Sequence, residues 1–66
     1  RIYQEEDARP WGAIEAYRIY DSRYGFRNQY LICWENVLAE IHFPWEPDEG
    51  QKGIVGKNLN KLALNS

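Results

Sequence analysis

Residues 30–47 set the terms for any fold of this chain. The stretch opens with an apolar run, Tyr30-Leu31-Ile32-Cys33-Trp34, and closes on Trp45-Glu46-Pro47. Its apolar and aromatic runs, separated by Glu35-Asn36, read as neighbouring strands, because β-branched and aromatic side chains fit a half-buried pleated surface. In the first run Tyr30, Ile32 and Trp34 share one face while Leu31 and Cys33 share the other, so both faces are apolar and the strand reads as central. The second run, residues 37–43, stops at Pro44, which has no N–H to give to a ladder. Trp34 and Trp45 are expected to anchor the core, Trp45 from beneath a helix.

A chain of 66 residues has room for one domain, and folding at this length removes only roughly 60% of the surface that the unfolded chain exposes. Three Trp, five Tyr and two Phe supply the core, since each can bury about 150–250 Å². The single cysteine, Cys33, has no internal disulfide partner, and neither it nor His42 has the companions of a closed zinc site, so no metal or cofactor is expected. This composition fits a reducing, intracellular setting. No apolar run approaches the roughly 20 residues of a membrane span, so the chain reads as soluble, without a membrane partner. It begins at Arg1, which reads as a domain cut from a longer protein or a processed chain.

The net charge is −2, and between Arg27 and Lys52 lie five acids, Glu35, Glu40, Glu46, Asp48 and Glu49, with no Lys or Arg. Such a segment attracts cations and disfavours nucleic acid, whose binding depends on clustered Lys and Arg. A basic peptide suits it better, although a charge run can equally be a solvated face that serves solubility alone.

Residues 1–12 carry Glu5-Glu6-Asp7 and little apolar surface, and read as a flexible N-terminal arm. Residues 11–20 read as the first strand, with Ile19 and Tyr20 adjacent and a bulge expected there. Residues 21–28 contain the turn formers Asp21, Ser22, Gly25 and Asn28, with Tyr24 and Phe26 either folding back over the sheet, the favoured reading, or forming a hairpin tip that inserts into a partner. In the tail, Val55, Leu59 and Leu62 form a stripe at helical spacing, with Lys57 and Lys61 on another face. Gly53 and Gly56 weaken the first turn of that helix by roughly 1 kcal/mol each relative to alanine.

Three segments carry a family resemblance: Arg18-Ile19-Tyr20-Asp21-Ser22-Arg23, Tyr30-Leu31-Ile32-Cys33-Trp34 and Trp45-Glu46-Pro47. In this order and spacing, over residues 13–64, they resemble a chromodomain of the heterochromatin protein one and Polycomb type. The resemblance implies an α+β domain, a three-stranded curved antiparallel sheet with a C-terminal helix packed across it. It further implies a nuclear, non-catalytic reader of methylated lysine on a histone tail peptide, which adds as a strand between residues 13–17 and 48–51. The methyl-lysine cage positions fall on Ile14, Trp34 and Val37, of which only Trp34 has a π face. Ala13, Glu15 and Ala16 flank the peptide on one side and Glu46, Asp48 and Glu49 on the other, Glu46 being suited to pair with an arginine. The alternative is a chromo-like domain that has kept the fold and docks another chromatin protein, or a copy of itself.

No enzyme is expected. His42 and Glu40 alternate on one strand and so share a surface, but nothing supplies a nucleophile or a pocket beside them. Cys33 has no neighbouring base or cation to lower its pKa and reads as a small buried hydrophobe.

Overall fold

In chain order, the computed structural model holds β1 (Ile2–Glu6), a 3-10 turn (Arg9–Trp11), β2 (Glu15–Asp21), β3 (Gly25–Cys33), β4 (Leu38–His42) and α1 (Glu49–Leu64). It describes residues 1–21, 23 and 25–64, with backbone alone for 25–27 and 63–64. The four strands form one antiparallel sheet in the order β1-β2-β3-β4. The domain is therefore α+β with a C-terminal helix, as expected, but with four strands instead of three.

The additional strand is β1, within the segment read from sequence as a flexible arm. It pairs Ile2 with Tyr20 and Tyr3 with Ile19, cross-strand apolar contacts of the kind that stabilise a ladder. Four of its five residues stay exposed, so it shows no alternating pattern for a sequence reading to find. Arg1, just before β1, is hydrogen-bonded and ion-paired to Glu40 of β4. That contact reaches from one edge strand of the sheet to the other.

The 3-10 turn follows from Pro10 and Gly12. Proline presets the helical φ at the start, and Gly12 ends the turn at φ 61° with its N–H donating to the Arg9 carbonyl, a left-handed conformation that glycine adopts at little cost. This turn carries Trp11 into the core at 1% exposure. The expected first strand begins only at Glu15, and the expected bulge is present, as a register shift between Arg18 and Tyr20.

β3 lies between β2 and β4, and its central character is as expected: Tyr30 and Ile32 are buried, and Trp34 just beyond it is also buried. Leu31 and Cys33 are half-buried on the other face. Trp45 departs from expectation, being 58% exposed. It follows Pro44 outside the ladder, and its indole N–H donates to the Gln51 side chain at 3.4 Å. The second core tryptophan is Trp11 instead, whose carbonyl accepts the Trp34 indole N–H at 3.1 Å. The expected packing of Tyr24 and Phe26 lies outside the described residues.

The helix starts earlier than its apolar stripe suggests. Gln51 N–H donates to the Asp48 carboxylate at 2.8 Å while Asp48 N–H donates to the Gln51 side-chain oxygen at 3.0 Å, a reciprocal capping box. Val55 and Leu59 pack against the core cluster, whereas Leu62 is largely exposed. Gly56 faces the 3-10 turn so closely that a Cβ there would lie 2.0 Å from the Trp11 carbonyl oxygen; at Gly53 the nearest atom would be Pro10 O at 3.7 Å. The glycine that seems only to weaken the helix is what lets the helix dock.

Two substitutions separate these roles. Gly56→Ala gains helix propensity but must displace backbone, and is expected to lose about 2 kcal/mol or more. Gly53→Ala meets ordinary van der Waals contact and is expected to gain up to about 1 kcal/mol. Urea unfolding midpoints of the two variants, compared with the parent, check both signs.

Candidate functional site

The residues that the chromodomain resemblance assigns to a cage meet at one end of the sheet. Ile14 N–H donates to the Cys33 carbonyl at 2.9 Å, and Trp34 N–H to the Val37 carbonyl at 2.8 Å. They do not form an aromatic enclosure. Ile14 is 64% exposed, Val37 packs against the core cluster, and the Trp34 ring is buried with its N–H committed to Trp11.

Ala13, Ile14, Glu15 and Ala16 instead line a cleft of about 380 Å³ together with residues 5–9 and Tyr17. β1 forms one wall, through the pairs Glu5 with Tyr17 and Glu6 with Ala16. The cleft is lined by Glu5, Glu6, Asp7 and Glu15 and by Arg9; Glu5 and Glu6, adjacent on β1, point to opposite faces of the sheet, with Glu6 on the side of Arg18. Arg9 is already committed, donating to both Asp7 oxygens at 2.9–3.2 Å. Tyr17 donates its hydroxyl to Glu15 at 3.3 Å. The arrangement is a negatively charged recess bordered by an edge strand, suited to a cationic segment.

The opposite flank expected for a peptide, Glu46, Asp48 and Glu49, is not part of that cleft. Glu46 accepts two hydrogen bonds from Arg18, at 2.8 and 3.1 Å, and one from the Tyr30 hydroxyl at 3.4 Å. An arginine does pair with Glu46, but it is the chain's own. Asp48 caps α1, and Glu49 occupies the first turn of the helix. Glu40 is held by Arg1, so three of the five acids in the acidic segment serve internal contacts. The acidic surface lies with Glu5, Glu6 and Asp7, which the sequence reading left in the arm. The signal that could have found them is the triplet's position just before Arg9-Pro10-Trp11-Gly12, whose proline and glycine mark an ordered turn.

His42 and Glu40 are both exposed on β4, and Cys33 is half-buried rather than enclosed, with its thiol 3.4 Å from the Trp34 carbonyl oxygen. Among the described residues, no group of three His, Cys, Asp or Glu side chains could hold a metal ion, and no helix is long and apolar enough to cross a membrane. No protein-family model, curated protein or solved structure matches the chain.

The carboxylates respond to their partners. Asp7 is lowered from 3.8 to about 2, because the Arg9 side chain and backbone N–H both donate to it. Glu46 is lowered from 4.5, chiefly by its hydrogen bonds from Arg18. Burial pushes the Tyr30 hydroxyl above its usual value. A lowered carboxylate contributes stability above its unfolded pKa and loses it as pH falls through the folded value. The Asp7–Arg9 contact is therefore expected to persist to about pH 3 and to open near pH 2. A carboxyl ¹³C titration checks this, with Arg9→Gln returning the Asp7 midpoint toward its ordinary value.

Proposed function

We propose that the chain is a non-catalytic, chromo-like binding module of nuclear chromatin assemblies, whose ligand is a basic histone-type tail peptide. The observation that carries this reading is the cleft beside β1, lined by four acidic residues and by Arg9, whose guanidinium is already bound to Asp7. A lysine- and arginine-rich peptide has the complementary charge, whereas a nucleic-acid backbone has the wrong sign. β1 ends the sheet, so its outer side is open to an added strand whose main-chain hydrogen bonds supply affinity.

In this reading the peptide does not sit where the family resemblance puts it. The chain's own β1 stands against residues 16–20 of β2, so an incoming strand adds one position further out. Methylation is not read at Ile14, Trp34 and Val37, since the one aromatic ring among them is buried against Trp11.

A second reading has its own observation. Ile2 and Tyr3 on β1 and Leu38 on β4 are 59%, 47% and 68% exposed, and both strands are sheet edges. Docking of another chromatin protein, or a copy of this chain, along one of these edges would cover them.

Titration with unmodified and trimethylated histone-tail peptides tests the first reading. The expected outcome is binding that weakens with salt and differs between the two peptides by less than about twofold, under roughly 0.5 kcal/mol. Replacing Glu5 and Glu6 together by Gln is expected to weaken both equally. A strong preference for the methylated peptide would overturn the reading of the cage positions. Absence of binding, with a molecular mass by light scattering that rises with concentration, would transfer the assignment to self-association.

A further inference from the structure

Charge is unevenly divided along the chain. Glu49 is its last acid, and the rest of α1 carries Lys52, Lys57 and Lys61 with no Asp or Glu. Where α1 meets the 3-10 turn there is a groove of about 250 Å³, lined by residues 9–12 on the turn and by Gly53, Gly56, Lys57 and Asn60 on the helix. These four helix positions follow the i, i+3, i+4, i+7 spacing of a single face. The first two are glycines, so the helix backbone is bare there. Gly56 is filled by the approach of the turn, but a Cβ at Gly53 would find its nearest atom, the Pro10 carbonyl oxygen, only at 3.7 Å.

Lys57 and Asn60 are exposed, and no carboxylate among the described residues pairs with Lys57. Arg9 is held by Asp7, so the uncompensated charge of the groove is the Lys57 ammonium, with the Asn60 amide as a further donor. Ile54, three residues before Lys57 and so its neighbour on the helix surface, is 64% exposed. A free cation, an amide donor and an exposed apolar side chain thus stand within two turns of one helix, beside a recess. Pockets that enclose a whole small molecule run to about 300–1,000 Å³; one of about 250 Å³ suits a single inserted side chain. We infer that this groove is a docking site for an acidic peptide segment, which places a carboxylate against Lys57 and Asn60 and an apolar side chain on Ile54.

An extended polyanion such as a nucleic acid fits these surroundings less well. Asp7 and Glu49 line the surface next to Arg9 and Pro10, where further phosphates would meet them, and phosphate binding depends on clustered Lys and Arg. A peptide can space its carboxylates singly and offer apolar groups between them. The site is separate from the acidic cleft and from the Ile14, Trp34 and Val37 positions. Arg9 lines both recesses, but Lys57 lines this one alone, so the inference does not rest on the basic-peptide reading.

The probe is an end-capped, fluorescein-labelled hexapeptide alternating Glu and Leu, with Gln in place of Glu as its control, read by fluorescence anisotropy at low salt. The acidic peptide is expected to bind at least about threefold more tightly than the control, by an amount that shrinks as salt is added. Lys57→Glu, a change at an exposed helix position that leaves the fold intact, is expected to weaken the acidic peptide by about fivefold or more. Glu5→Gln in the acidic cleft is expected not to weaken it. On the parent chain, backbone NMR shifts induced by the peptide are expected in residues 9–12 and 53–60. Shifts confined to other residues would overturn the inference, as would equal binding of the two peptides, or of the acidic peptide to parent and Lys57→Glu. Tighter binding of a short DNA duplex to the same residues would overturn the choice of a peptide. Failure of the basic-peptide reading would leave each of these outcomes unchanged.

Discussion

The Trp11 carbonyl is the point through which the helix, the 3-10 turn and the sheet are joined. It accepts the Trp34 indole N–H from the end of β3, and it lies where any side chain at position 56 of α1 would have to be. A buried carbonyl without a partner costs about 1–3 kcal/mol, so the bond from Trp34 is what permits Trp11 to carry its backbone inside. The close approach then depends on Gly56 having no Cβ. Take away either condition and α1 is left with the packing of Val55 and Leu59 on the core cluster, since Ile54 and Leu62 face solvent.

A core this small relies on rings whose polar atoms are individually placed. Trp34 gives its N–H to the Trp11 carbonyl and Tyr30 gives its hydroxyl to Glu46. Trp11 Nε1, by contrast, is buried without a hydrogen-bond partner. Trp11 is therefore kept by its ring contacts with Tyr30 and Phe43 and by its backbone. Its N–H contributes nothing that offsets its own desolvation. The cations follow the same rings: Arg18 stands 5.6 Å from the Tyr30 centroid while bonded to Glu46, and Lys52 shares Tyr30 with Trp11. Tyr30 is where packing, the Glu46 contact and two positive charges converge.

Much of the sheet was legible in the sequence because burial on both faces leaves a local trace. The run from Tyr30 to Trp34 is apolar on either face, and β3 is central; Ile19 beside Tyr20 breaks alternation, and the register shifts there. β1 left no such trace, since an edge strand with four exposed residues is specified by its neighbour rather than by its own pattern. Trp45 was misjudged for the complementary reason: motif and hydrophobicity placed it inside, but Pro44 takes it out of the ladder. For the candidate site, Ala13, Ile14, Glu15 and Ala16 do line a cleft. The other half of the predicted site was misplaced, because composition counted acids without knowing that Arg1, Arg18 and the helix start would engage Glu40, Glu46 and Asp48.

These internal engagements share a physical logic. A strand edge, an arginine-seeking carboxylate and an aromatic surface are each groups that attract an external partner, and in this chain each has an internal one. β1 covers the edge of β2, Arg18 satisfies Glu46, and Lys52 covers Trp11 and Tyr30. An intramolecular partner competes at the effective concentration set by the short chain connecting it, which for flexible tethers reaches about the millimolar range without requiring strong contacts. A weak external ligand cannot displace such partners. What stays open is the surface they do not reach, the outer edge of β1 and the carboxylates beside it. There Arg9 is bonded to Asp7 and Glu6 lies within the field of Arg18, which leaves Glu5 and Glu15. In the proposed reading, that negative charge at the edge of the sheet is what a cationic strand would meet.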